Sequence, residues 1–233
     1  MIVDLSVKHD WRFGLFSPEN YPLQLHFAKL ASKLTGVSFN ETSDAQIISA
    51  MNYCRENFFY IVPEEDNSLD SIIEHAKNLV KRYGINAIVI DAWNKLDHNY
   101  VGTETQHISK ELDKLISFCR KYSVHAFVVA HPTKMSRDPK TQAYNVATLY
   151  DMAGSAHFYN KMDNGISVYR EFFPDGSSQP QIYVQKVKFK HWGQQGSVTL
   201  QYDIPSGRYY FFGKRDRGSY ISREFIHKQE LDL

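Results

Sequence analysis

Residues 85 to 98 read Ile85-Asn86-Ala87-Ile88-Val89-Ile90-Asp91-Ala92-Trp93-Asn94-Lys95-Leu96-Asp97-His98, and the reading of this stretch decides the fold. Its first half is an apolar, mostly β-branched run without polar alternation. That pattern predicts a strand covered on both faces, as in a parallel sheet. The run ends on an acid, so Asp91 emerges at the carboxyl end of the strand, the edge along which open α/β sheets bind ligands. In a nucleotide-binding sheet an acid there holds a magnesium ion beside the phosphates. An acid that only closes a strand before a turn has the same local sequence, so the flanking chain has to separate the two.

Outward from this strand the chain alternates. Residues 1 to 9 read as a helix and Trp11–Phe16 as a strand, stopped by Pro18, which leaves Glu19 at its carboxyl end. Leu23, Phe27, Leu30, Ala31 and Leu34 recur at helical spacing before Gly36. Ser43-Asp44-Ala45-Gln46 is a capping box that opens a helix to about Glu56. Phe58–Val62 is a short strand ended by Pro63, and Leu69 to Val80 mark a helical face closed by Gly84. Beyond Asp91, Thr103-Glu104-Thr105-Gln106 is a second capping box, followed by Ile108, Leu112, Leu115, Ile116 and Cys119 on one face. Val124–Ala130 reads as another buried strand ended by His131-Pro132, and a helix is expected from about Val146 to Lys161.

From Gly165 the pattern changes to alternating strands, Gly165–Glu171, Gln181–Phe189, Ser197–Asp203 and Arg208–Phe212, joined by turns such as Pro205-Ser206-Gly207. The order βαβ and then meander predicts an α/β fold: a mostly parallel sheet flanked by helices, with antiparallel strands added at the C-terminal end. One domain over residues 1–213 and a charged, peripheral tail over 214–233 are expected.

Composition narrows the functional classes. Lys plus Arg number 27 against 26 Asp plus Glu, so there is no global basic field and any nucleic-acid contact needs a local patch. Cys54 and Cys119 form no metal-ligand spacing, which reads as a reduced, cytoplasmic protein. No apolar run has the length of a membrane span, and the N-terminal residues do not resemble a signal peptide.

Glu19, Asp91 and His131 all fall at carboxyl ends of predicted strands. Each alone has an ordinary structural explanation: a first-turn helix acid, a strand-ending acid, a loop histidine before proline. Together they fit phosphoanhydride hydrolysis, which needs a metal-holding acid, a group orienting the attacking water and a group contacting the γ-phosphate. Asp91, Glu19 and His131 suit these roles in that order, with Mg2+ and ATP as the cofactors. Lys186, Lys188 and Lys190 recur at period two on one predicted strand, offering positive charge for the transferring phosphoryl group; a solvated edge strand shows the same lysines. The chain contains no GxxxxGK[ST] phosphate loop, and Gly213-Lys214 is followed by Arg215.

These segments resemble the ATPase domain of DnaB-type replicative helicases, in the branch of Twinkle and the phage primase-helicases, over about residues 1 to 212. Phe16-Ser17-Pro18-Glu19-Asn20 is similar to that family's Phe-Ser-x-Glu segment, Ile88–Asp91 to its Walker B strand, and Val128–Lys134 to the next motif, in which His or Gln contacts the γ-phosphate. Asp151-Met152-Ala153-Gly154-Ser155-Ala156 resembles the Asp-x-x-Gly-Ser-Ala element, and Lys186-Val187-Lys188-Phe189 the Lys-x-Arg-Phe segment that reaches a neighbouring subunit's ATP site.

The resemblance implies a RecA-like fold, ATP and Mg2+ at Ser17, Glu19, Asp91 and His131, and catalytic roles for Glu19, His131, Lys186 and Lys188. It further implies a ring, usually a hexamer, around single-stranded DNA, with Lys134, Arg137 and Lys140 on the DNA-facing loop. Two departures stand out. The first helix looks like the one that follows a Walker A lysine, so the chain is expected to be a fragment beginning just after that motif and a poor ATPase as it stands. Lys188 also occupies the position where the family usually has arginine, giving a point charge instead of a bidentate fork. A non-catalytic RecA-like module for DNA binding or assembly, or a recombinase-like ATPase, remain alternatives.

Overall fold

The computed structural model describes residues 1–64, 66–98, 102–140, 143–152, 156–172, 178–215 and 218–221. Helix α1 (Ile2–His9) leads to strand β1 (Phe13–Phe16), α2 (Leu23–Thr35), α3 (Asp44–Asn57), β2 (Phe58–Tyr60), α4 (Leu69–Tyr83), β3 (Ala87–Asp91), α5 (Glu104–Tyr122) and β4 (His125–Val129). Local chemistry sets these bounds. Ser43 with Gln46, and Thr103 with Gln106, form reciprocal capping boxes at the starts of α3 and α5. Gly36 and Gly84 end α2 and α4 at φ 82 and 61, where a side chain would be strained.

The strands β1 to β4 form a parallel sheet in the order β2-β1-β3-β4. β3 is sandwiched as its sequence predicted. Ile88 and Ile90 pack with α4 and α5, among Ile72, Leu112 and Leu115. Ala87 faces the other layer, with Val3, Leu30, Leu34 and Tyr53 of α1 to α3. Successive side chains point to opposite faces, so an all-apolar strand buries both. The register pairs Phe16 with Ile90, and Asp91 with Val129, which lines up the carboxyl ends of three strands.

β4 departs from expectation. It is an edge strand, with only β3 as a ladder partner among the described residues, and His125 and Val129 are exposed. The antiparallel strands do not extend it. β5 (Asn164–Phe172), β6 (Ser178–Val187) and β7 (Gly196–Thr199) make a separate sheet, and β8 (Gln201–Asp203) with β9 (Arg208–Tyr210) a hairpin. The expected strand Ser197–Asp203 is thus two strands broken at Leu200, whose N–H donates to the Pro180 carbonyl.

Three further expectations need correction. The helix expected over Val146–Lys161 exists only as α6 (His157–Lys161). The Ala147 carbonyl accepts from Ser167 Oγ and Gln185 Nε2, and the Thr148 N–H donates to Asp151 Oδ2, so side chains take the groups a helix would use. Leu149 is held over Gly165, where any Cβ would collide with it. Of the three lysines expected on one strand only Lys186 lies on it: β6 ends at Val187, Lys188 follows it, and Lys190 opens a 3-10 turn. Finally, the tail expected to start at 214 is not all peripheral. The Tyr220 N–H donates to the Leu34 carbonyl, the Arg208 guanidinium lies 3.7 Å from the Tyr220 ring centroid, and Ile221 is buried beside α1 to α3.

The fully buried Ile88 at the centre of the sheet sets a stability test. Ile88→Ala should cost about 2–5 kcal/mol through lost burial and the cavity left behind, read as a lower urea midpoint with an unchanged slope. A cost below about 1 kcal/mol would contradict this core.

Candidate nucleotide site at the sheet edge

The chain leaves β1 through Ser17 and turns at once through a 3-10 turn, Pro18–Asn20, closed by the Asn20 N–H on the Ser17 carbonyl. The turn folds Asn20 back over the sheet edge and leaves Glu19 toward solvent. Ser17 Oγ donates to Asp91 Oδ2 at 3.0 Å, and Asn20 Nδ2 reaches the same oxygen at 3.1 Å and Ser17 Oγ at 2.8 Å. Lys29 of α2 donates to Asn20 Oδ1 at 2.8 Å, fixing the direction of that amide. Asp91 therefore has one oxygen held by two donors, while Oδ1 accepts no hydrogen bond among the described residues.

Glu19 lies in a second cluster. His131, just past β4, meets Glu19 Oε2 through Nε2 at 3.4 Å, and Lys95 Nζ lies 3.6 Å from Oε1. Both contacts are partly exposed, so each contributes little to stability; their effect is to set the direction of the carboxylate. The Asp91–Ala92 and Tyr21–Pro22 peptides are cis.

The structure thus brings Ser17, Glu19, Asp91 and His131 to one edge, as their strand-end positions predicted. It does not bring Lys186 and Lys188 there within one chain. Lys186 donates to the Tyr159 carbonyl, and Lys188 pairs with Asp163 at 2.5 Å. Lys134, Arg137 and Lys140 lie in a closed excursion of the chain beyond β4, tied by a Pro132–Met152 bridge, an Arg137–Tyr144 bridge and the Asp138 N–H on the Ala143 carbonyl. Of the Asp-x-x-Gly-Ser-Ala segment, residues 153–155 lie outside the described residues. Asp151 accepts from Thr148 Oγ1 and from the Thr148 N–H, and these bonds lower its pKa.

Sequence reasoning missed Asn20, Lys29, Lys95 and His26. Asn20 and Lys95 both lie inside stretches already singled out; their sequence signal was adjacency to Glu19 and Asp91. His26 and Lys29 carry none, because only the path of α2 over the edge places them. His26 is buried with Nδ1 unpartnered among the described residues, and its ring meets Tyr60 edge-on at 5.4 Å. The Tyr60 hydroxyl is also buried and unpartnered, and burial pushes its pKa up to about 12.

No family model matches the chain. A curated relative, the "Twinkle homolog protein, chloroplastic/mitochondrial" of Arabidopsis thaliana, is 35% identical over 226 residues, covering 90% of this chain. The chain spans about a third (31%) of that relative's length. Among solved structures, one ATPase domain superposes with a TM-score of 0.70 at 16% identity, over 88% of this chain and 76% of that one. A DnaB-like replicative helicase, described with its interactions with primase, gives 0.69 at 16% identity, over 88% and 53%. The chain is a relative of the DnaB-type helicase ATPase domains. The fold is RecA-like, as the resemblance implied. Within that domain type, the parallel sheet carries the Glu19–Asp91–His131 edge and the antiparallel strands follow it.

Burial lowers the pKa of His26, with Lys29 adding to the effect and Asp91 opposing it. Burial also lowers His98, beside His107. Below the ordinary value of 6.5 the unfolded chain takes up protons on these rings that the folded chain does not, so stability is full above that pH and declines as pH falls through it. Urea midpoints should decrease from about pH 8 to about pH 5.5, and His26→Gln should flatten that decrease. A midpoint that is constant or rises toward acid would contradict the lowered imidazole pKa values of His26 and His98.

Proposed function

We propose that this domain hydrolyses ATP at the Glu19–Asp91–His131 edge and couples the reaction to movement along single-stranded DNA. The observation that carries this reading is the convergence of an acid with an open oxygen, a second acid oriented by two basic side chains, and a strand-end histidine on one edge. Asp91 fits a magnesium ion: Ser17 and Asn20 hold Oδ2, leaving Oδ1 as a hard oxygen donor, and one or two carboxylates plus water and phosphate oxygens satisfy that ion. Bound there, Mg2+ would neutralise charge on the phosphates.

Glu19 would take the proton of the attacking water as its oxygen bonds to the γ-phosphorus and the bond to the β-phosphate oxygen breaks. His131, touching Glu19, would link the state of the γ-phosphate to the chain beyond β4, where Lys134, Arg137 and Lys140 supply charge for DNA phosphates. Lys186 and Lys188, remote from this edge in one chain, would serve a neighbouring subunit's site in a ring. The full helicase activity, the ring and its DNA are part of this proposal.

A second reading is a module that binds DNA or assembles without turnover. The two readings separate in one assay of DNA-stimulated ATP hydrolysis, on protein in which a GxxxxGK[ST] segment precedes Met1. Robust hydrolysis is expected there, with Glu19→Gln lowering kcat by about 10²- to 10⁴-fold and Asp91→Ala abolishing turnover with the fold intact. Turnover unaffected by both substitutions would overturn the assignment, and no turnover in the parent protein would favour the module.

A further inference from the structure

The excursion beyond β4 was expected to contribute positive charge. It also presents aromatic rings. Tyr144 is 52% exposed. Arg137 lies across the strand-like bridge from it, with its guanidinium carbon 4.6 Å from the ring centroid and Nη2 donating to the phenol oxygen at 3.1 Å. One face of the ring is therefore backed by a cation, and the side chain is fixed at both ends. The Asn145 N–H on the Ser136 carbonyl and Asn145 Nδ2 on Ser136 Oγ rigidify the same rung.

At the base of the excursion the arrangement recurs. Tyr150 is 57% exposed and stacks on Tyr159 with centroids 4.4 Å apart and planes 22° apart. Lys186 lies 5.0 Å from the Tyr159 centroid. Each exposed ring is thus held in place by a neighbouring ring or guanidinium. A π face, pre-oriented and electrostatically backed, is what an unstacked nucleobase binds, and such binding is tolerant of sequence because every base has a π face.

We infer that Tyr144, backed by Arg137, is a stacking platform for a base of single-stranded DNA, and that Tyr150 on Tyr159 is a second. The inference rests on the DNA-binding reading above and deepens it: the excursion contacts bases as well as phosphates. Phosphate contact alone would treat a base-bearing strand and an abasic strand of equal charge alike. Stacking separates them.

The test is fluorescence anisotropy on the whole chain at low salt, using a labelled oligothymidylate and an abasic strand of the same length and charge. The parent chain should bind the oligothymidylate at least about fivefold more tightly. Tyr144→Ala should remove most of that preference while leaving abasic binding unchanged, Tyr144→Phe should keep it, and Tyr150→Ala should reduce it. Equal binding of both strands by the parent chain, with salt-dependent affinity retained, would overturn the inference and leave the DNA-binding reading in place. Weakening of both strands alike by Tyr144→Ala would overturn it too, marking the ring as a structural part of the excursion. Salt-dependent binding of neither strand would remove the DNA-binding reading and the inference with it.

Discussion

The hydrogen bond from Ser17 to Asp91 joins residues 74 positions apart in the chain, and the site at the sheet edge depends on it. It exists because β1 and β3 are parallel neighbours whose register sets Phe16 beside Ile90. A shift of one residue would exchange the two packed faces of β3 and part the two side chains. The core on each side of the sheet therefore fixes the chemistry at its edge. Ile88 and Ile90 lock one face and Ala87 the other, so Asp91 has little freedom in where it emerges.

From this contact the rest of the edge follows in order. Asn20 closes the Ser17 turn and adds a second donor to the same oxygen, and Lys29 orients Asn20 from the overlying helix. The turn that brings Asn20 inward sends Glu19 outward, toward Lys95 on the β3 side and His131 on the β4 side. The two carboxylates thus acquire different surroundings: Asp91 is gripped on one oxygen by neutral donors, and Glu19 is flanked by basic groups. In the proposed function that difference matches their separate tasks, one toward a metal and the other toward a water.

The parallel half of the fold was legible in the sequence because its signals are local: capping boxes at Ser43 and Thr103, terminating glycines at 36 and 84, and an unbroken apolar run at 87 to 90. Strand ends are also local, so Glu19, Asp91 and His131 could be placed on one edge from the sequence. Three-dimensional adjacency across elements was not legible. Nothing in α2 announced that His26 and Lys29 lie over that edge. The apolar content of β4 resembled a central strand, although only β3 pairs with it among the described residues. The helix expected from Val146 failed because Ser167 and Gln185, far along the chain, claim the Ala147 carbonyl. Nothing in the sequence announced that Arg137 lies behind Tyr144, or Tyr159 behind Tyr150.

The central claim is that Asp91 and its partners form a metal-dependent phosphate site. An amide-resolved magnetic resonance titration of the chain with Mg2+ and a nucleoside triphosphate reads it most directly. The account predicts that the largest shifts gather at Ser17, Glu19, Asn20, Asp91 and His131, and that Asp91→Asn removes their dependence on Mg2+. Shifts confined to the antiparallel sheets, or an unchanged response in Asp91→Asn, would contradict it.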